Sequence, residues 1–252
     1  MRLNRFFTER KNIRIGSSVK LSDSDISHIK KVLRLTKGDK IIVFNGEKEF
    51  LATLKVVSKD VIMVVLDELL QDQVNTQDHF AKITLFQGLL RAGKFDTVIE
   101  KTTETGITSI VPMETDFSQT KVEVIERKLE RWNKLAIAAS KQSERISVPE
   151  IYQGITFKEV KNLLSDFDVV YFVTIPRKKI AESLEAQPLN QIEVDKFKNN
   201  IAFLIGPEGG FSPAEHKMAK EWGLTFVYLD SPVLRSETAS IVFTSLFRFI
   251  YS

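Results

Sequence analysis

Two unbroken apolar runs, DVVYFVTI at 168–175 and NIAFLIG at 200–206, constrain the fold of this 252-residue chain more than any other feature. A half-exposed strand alternates apolar with polar residues, whereas a strand apolar at every position is covered on both faces. Set among helix-like segments, two such strands predict a parallel α/β sheet. The alternation begins near residue 80. KITLFQG (82–88) and TSIVPM (108–113) read as strands, KFDTVIEKTTET (94–105) as a helix closed by Gly106, and 122–143 as a longer helix. TFVYLD (225–230) is a further strand. The final TASIVFTSLFRFIYS is apolar around most of its circumference and belongs in a core or a subunit interface.

The first 70 residues follow another rule. IIVFNG (41–46), FLATLKVV (50–57) and VIMVVLD (61–67) are short strands rich in β-branched residues, with Asn45-Gly46 as a turn. One helix interrupts them. Ser22-Asp23-Ser24-Asp25 caps ISHIKKVLRL, which places Ile26, Ile29, Val32 and Leu33 on one face and Lys30, Lys31 and Arg34 off it. A small β-barrel with a basic helix is expected over 1–70. The polar stretch LLQDQVNTQDH (69–79) gives a linker over 71–79, followed by a second domain over 80–252.

Composition removes several chemistries. Without cysteine there is no disulfide scaffold, thiolate zinc site, iron–sulfur cluster or thiol nucleophile. The histidines, at 28, 79 and 216, form no short-spaced pair, so no metal is expected. No run approaches the roughly 20 apolar residues of a membrane span, and the N-terminus has no apolar signal core. A cytoplasmic protein with no membrane partner is expected. Residues 1–70 carry 14 Lys and Arg against 9 Asp and Glu, while the remainder carries 22 against 24. That basic excess fits a polyanion partner and equally a solvated basic face.

Three segments could carry chemistry. In IGPEGGFSPAE (205–215) an apolar strand runs into glycines and then into a helix opened by Ser212, Pro213 and Glu215, a capping box. Gly-Gly alone is a plain turn; the inserted Pro-Glu and the capped helix point beyond that, to a loop whose backbone N–H groups meet a ligand. LDSPVLRSETAS (229–240) again joins a strand to an apolar helix, and Arg235 and Glu237 there either pair or serve a ligand. QGLLRAGKFDTVIEKTTETG (87–106) places Gln87 and Arg91 just past a strand end, ahead of helix charges that include Lys94. No Ser-His-Asp arrangement stands out.

In this order and spacing, these segments resemble the RsmE family of ribosomal RNA methyltransferases, within the SPOUT superfamily. MRLNRFF, HIKKVLRLTKGDKIIVFNG (28–46), ERWNKL, KQSERISVPEI and LRSETA (234–239) carry the resemblance with the glycine loop and the 86–107 segment. It implies an α/β fold with a SPOUT-type parallel sheet, a deep trefoil knot at the C-terminal end, and a PUA-like N-terminal barrel that binds RNA. It implies a homodimer through the knotted domain. The implied reaction is S-adenosylmethionine-dependent methylation of N3 of a uridine in small-subunit (16S) ribosomal RNA, on free RNA or on the 30S subunit.

Carried onto this chain, the resemblance makes Arg235 and Glu237 the catalytic candidates. Arg235 would stabilise a uridine anion; Glu237 would orient Arg235 or act as base. Thr174, Ile175, Gly206, Pro207, Glu208, Gly209, Gly210, Leu229, Val233, Leu234, Thr238 and Ala239 would bind the cofactor. Arg2, Arg5, His28, Lys31, Arg34, Arg91 and Lys94 would meet RNA. The chain departs from the family pattern at Thr105, Glu144 (usually Gly), Asp230 and Asp116-Phe117-Ser118 (usually Glu-Arg-Ser). Two other readings remain, a methyltransferase of the same fold acting on another RNA and a non-catalytic RNA-binding assembly factor.

Overall fold

The computed structural model describes residues 3–72, 81–91, 93–175, 185–195 and 197–251. Arg2 and most of the expected linker lie outside them. The chain forms two compact units, Met1–Asp78 with Ser140–Val148, and His79–Ala139 with Pro149–Ser252.

In the first unit, β1 (Arg5–Phe7), β2 (Ser18–Lys20), β3 (Lys40–Phe44), β4 (Lys48–Val57) and β5 (Ile62–Asp72) form one sheet in the order β1-β3-β4-β5-β2. β1 runs parallel to β3 and the other neighbours are antiparallel. Asn45 closes the β3–β4 turn by accepting the N–H groups of Glu47 and Lys48. Alternate residues, among them Ile41, Val43, Ala52, Leu54, Ile62, Val64 and Leu66, fill the core. β5 continues to Asp72, opposite Lys48, so the strand persists where the sequence suggests a linker.

The helix of this unit is shorter than its pattern predicts. α1 (Asp23–His28) begins at Ser22, whose side chain accepts the Asp25 N–H. It then widens into one π turn, Ile29–Leu33, ended by Arg34 at φ 55°. The extra residue in the turn shifts the phase of all that follows. Ile26 and Ile29 stay buried, but Val32 turns outward and is 65% exposed.

Ser140–Val148 joins this unit through charge. Lys141 pairs with the buried Asp25 at 2.8 Å, and Arg5 donates to the carbonyls of Glu144 and Arg145. Glu144, at φ 60°, takes a left-handed conformation where the resembled family usually has glycine.

The second unit is built on β6 (Lys82–Gly88), β7 (Ser109–Glu114), β8 (Glu150–Ile151), β9 (Ile155–Thr156), β10 (Val169–Val173), β11 (Gln187–Pro188), β12 (Asn200–Ile205) and β13 (Thr225–Tyr228). The order is β11-β13-β10-β12-β6-β7-β8, with β9 also on β7, and every described pairing is parallel. The helices are α2 (Lys94–Glu104), α3 (Glu126–Gln142), α4 (Pro213–Glu221) and α5 (Ser236–Ile250). A long 3-10 segment, Phe157–Asp166, adds to them; its apolar residues Phe157, Val160, Leu163 and Leu164 recur at helical spacing, and Phe157 and Val160 are buried.

Both faces of the sheet are covered, as the apolar runs require. Phe172 of β10 packs with Phe157, Phe211 and Phe226 on one side. The preceding Tyr171 stacks on Phe247 of α5, which also meets Phe203 of β12. α5 buries one face through Ser240, Phe243, Thr244 and Phe247, and leaves Phe249 80% exposed. No described helix is long and apolar enough to cross a membrane.

Candidate active site

β13, β10 and β12 lie side by side, and a cavity of about 640 Å³ opens beyond their carboxyl ends. Ligands of open parallel sheets bind at such ends. Thr174 and Ile175 follow β10 into its wall. Gly206, Pro207, Glu208, Gly209 and Gly210 follow β12, and Leu229, Val233, Leu234 and Arg235 follow β13. Ala239 of α5 completes this group.

Glu237 and Thr238 stand outside the wall. On α5 the lining residues are Arg235, Ser236, Ala239 and Phe243, which share one helical face; Glu237 and Thr238 fall off it. The cavity also takes in Lys94, expected as an RNA contact, and His216, Phe211 and Phe243, which were not foreseen. His216 lies in the first turn of the capped helix after the glycine loop, so its place was readable from the capping box.

Backbone proximity shapes the loop. A Cβ on Gly88, at the end of β6, would lie 2.5 Å from the nitrogen of Pro207. Gly210, at φ 72°, turns the chain toward α4. Below the loop the wholly buried Gln87 donates to Ser236 Oγ at 3.1 Å and accepts from Ser240 Oγ. Ser236 Oγ in turn donates to the Gly206 carbonyl at 2.6 Å.

A second anchor lies at the start of α4. Ser212 caps the helix in a capping box with Glu215. Glu215 is 1% exposed and accepts the N–H groups of Ser212 and Asp116 at 2.8 and 2.9 Å. Burial raises its pKa against those two bonds, and Asp116 adds to the rise. Asp116 accepts Ser212 Oγ at 2.5 Å. His216 donates Nδ1–H to the Ser212 carbonyl at 2.9 Å, which leaves Nε2 as the unprotonated nitrogen of the neutral ring.

The charges at the rim are largely matched. Lys94 Nζ lies 3.1 Å from Glu208 and 3.6 Å from Glu237. Burial opposes the charge on Glu208, but its own backbone N–H, Lys94 and the Arg91 N–H outweigh it and hold the carboxyl below the usual range. The other oxygen of Glu237 is buried without a hydrogen-bond partner among the described residues. Glu237 thus meets Lys94 rather than Arg235. Arg235 is exposed, and its side chain makes no hydrogen bond or ion pair among the described residues.

The remaining expected RNA contacts divide. Arg5 is not presented to a ligand. Its side chain is 7% exposed, pairs with Glu49 at 2.8 Å and lies over the Phe44 ring. A long-range core pairing of this kind leaves no trace in local sequence. His28, Lys31 and Arg34 are exposed on α1 and the π turn. Arg91 is exposed too, with Nε on Gln119 at 2.8 Å.

A glycine loop and two further strand-end loops around one cavity define an α/β domain that holds its ligand at the carboxyl edge of a parallel sheet. Residues 77–248 match the RNA methyltransferase domain model, and residues 21–66 match the RNA methyltransferase PUA domain model. The chain belongs to the RNA methyltransferase domain family. It is 29% identical to ribosomal RNA small subunit methyltransferase E of Rickettsia conorii, covering 100% of this chain and 98% of the relative. It is 26% identical to the Bacillus subtilis protein of that name, covering 95% and 93%. The crystal structure of ribosomal RNA small subunit methyltransferase E from Neisseria gonorrhoeae bound to S-adenosyl methionine superposes with a TM-score of 0.84 at 27% identity, covering 99% and 98%.

Proposed function

We propose that the chain methylates N3 of a uridine in small-subunit ribosomal RNA with S-adenosylmethionine as donor. The observation that carries this is the cavity walled by Gly206–Gly210 and Val233–Arg235, in a chain aligned end to end with small-subunit methyltransferases. The wall fits the donor. Gly206, Gly209 and Gly210 expose backbone to a nucleoside, Phe211, Leu234 and Phe243 supply apolar surface, and Lys94 is offset by two carboxylates, so little net positive charge opposes a cation. When bound, the donor supplies a methyl group already activated on a sulfonium.

The chain's own residues address the acceptor. Uridine N3 carries a proton, and its loss leaves negative charge on O2 and O4. Arg235, unpaired at the mouth, stabilises that charge. Glu237, whose carboxylate lies 3.6 Å from the cavity-lining Lys94, takes the proton. The N3–methyl bond forms as the sulfur–methyl bond breaks, leaving S-adenosylhomocysteine and 3-methyluridine. Residues 1–70, with His28, Lys31 and Arg34, hold the RNA; residues 80–252 carry the methyl transfer.

The C-terminal trefoil knot belongs to the same reading, supported by the first turn of α5 lying under the glycine loop with Ser236 on Gly206. The exposed face of α5 around Phe249 supports a homodimer, and the absence of a membrane-spanning helix among the described residues fits a cytoplasmic site of action. The test is transfer of labelled methyl groups to small ribosomal subunits from cells lacking this gene, followed by nucleoside analysis. Label recovered as 3-methyluridine is expected; label in another nucleoside, or none, rejects the assignment.

A further inference from the structure

The turn at 115–118 has no part in the chemistry above, yet it is held from several sides. Its own backbone closes it, with the Ser118 N–H on the Thr115 carbonyl at 3.0 Å and the Thr115 N–H on Ser118 Oγ at 3.0 Å. Asp116 ties it to the start of α4, donating its N–H to Glu215 and accepting Ser212 Oγ. At its tip is Phe117. A Cβ on Gly209 would lie 2.9 Å from Phe117 Cβ and 3.4 Å from the first ring carbon, so the side chain lies along the glycine loop. Phe117 is nevertheless 47% exposed. On the same rim Arg91 bonds Gln119, two residues further on, while its N–H meets Glu208.

A single exposed phenyl is unremarkable on a protein surface. This one is fixed in place on a pinned turn, against the loop that walls the cavity. We propose that Phe117 is the stacking platform for the nucleobase that receives the methyl group. The inference rests on the reading of the chain as a methyltransferase acting on an RNA base. N3 of a pyrimidine lies on the Watson–Crick edge, so the base must leave its pair and its stack to be reached. A splayed base then needs a flat apolar face, which aromatic side chains supply whatever the base. Phe117 offers that face on the same rim as Arg91, whose cation suits the adjoining phosphate.

The full-length protein with Phe117→Ala, Phe117→Leu and Phe117→Trp tests this in two assays. In steady-state methyl transfer to small ribosomal subunits, Phe117→Ala lowers kcat/KM about tenfold, within the range of one lost base stack. Phe117→Leu behaves like Phe117→Ala, and Phe117→Trp restores the wild-type value. Affinity for S-adenosylmethionine and the melting temperature stay unchanged in all three. Binding of a labelled oligouridylate in the presence of S-adenosylhomocysteine follows the same order, and it reports on Phe117 even if wild-type protein leaves ribosomal subunits unmethylated. That failure alone would sink the proposed reaction and not the platform. Equal oligouridylate affinity in wild type and Phe117→Ala, or rescue by leucine as full as by tryptophan, overturns the proposal.

Discussion

The Ser236 hydroxyl donates to the Gly206 carbonyl while accepting the Gln87 amide, so the first turn of α5 is bonded to the glycine loop through one oxygen. Ser236→Ala takes from the half-buried Gly206 carbonyl its Ser236 donor and leaves the buried Gln87 amide with the Gly88 carbonyl alone. A cost of about 1–3 kcal/mol in stability is expected. Weaker binding of S-adenosylmethionine accompanies it, because the loop loses its support. Chemical denaturation and calorimetric titration measure the two effects, and a variant matching wild type in both contradicts the account.

Arg235 is expected to act on the acceptor alone. Arg235→Ala lowers turnover by about 10²–10³-fold, the scale of losing one donor to a developing anion. The dissociation constant of S-adenosylmethionine stays within about twofold. Single-turnover rates at saturating cofactor decide the point; a near-normal rate removes Arg235 from the chemistry.

His216 makes stability depend on pH. Burial lowers its pKa below the ordinary 6.5, against the Ser212 carbonyl, which favours the charged ring. A lowered folded pKa means that folding favours the neutral form. The stabilisation is complete above 6.5 and is lost as pH falls through the lower folded value. The melting temperature of wild type, compared with His216→Gln, therefore drops on acidification from about pH 7.5 to about pH 5. A difference that stays constant across that range contradicts this.

Arg5 and Lys31 are both cations of the first unit, and they are expected to part company. Arg5→Ala strips a buried ion pair of one member, which costs about 3–5 kcal/mol. Lys31→Ala leaves stability unchanged, weakens RNA binding and reduces the slope of log affinity against log salt by a little under one. Melting curves and salt titrations on the two variants settle the division; a stable Arg5→Ala protein would show that Glu49 tolerates the loss.

What the sequence discloses here is what local physics controls. The doubly covered strands, the Ser212 capping box and the Gly106 stop are all readable because each depends on neighbours a few residues away. Val32 was misread because periodicity assumes a regular helix, and one π turn moves it to solvent. Arg5 was misread because Glu49 and Phe44, which hold it, are distant in the chain. The cofactor loops were legible as linear segments. Which side of α5 faces the cavity was not, so Thr238 is expected beside Ala239 at the cofactor, and Glu237 beside Arg235 in the chemistry, although both lie off the cavity face. Lys94 carried no sign that two carboxylates would claim it.

Where β6 ends against the glycine loop, main chain lies on main chain, with Gly88 beside Gly206 and Pro207. A junction built from side chains can absorb substitutions, one residue shrinking as its neighbour grows. This junction has nothing to trade, since any side chain at Gly88 strikes backbone. In a saturation mutagenesis screen, Gly88 should therefore be intolerant of all nineteen replacements, whatever their polarity, and second-site revertants should arise from rerouted loops rather than from altered side chains.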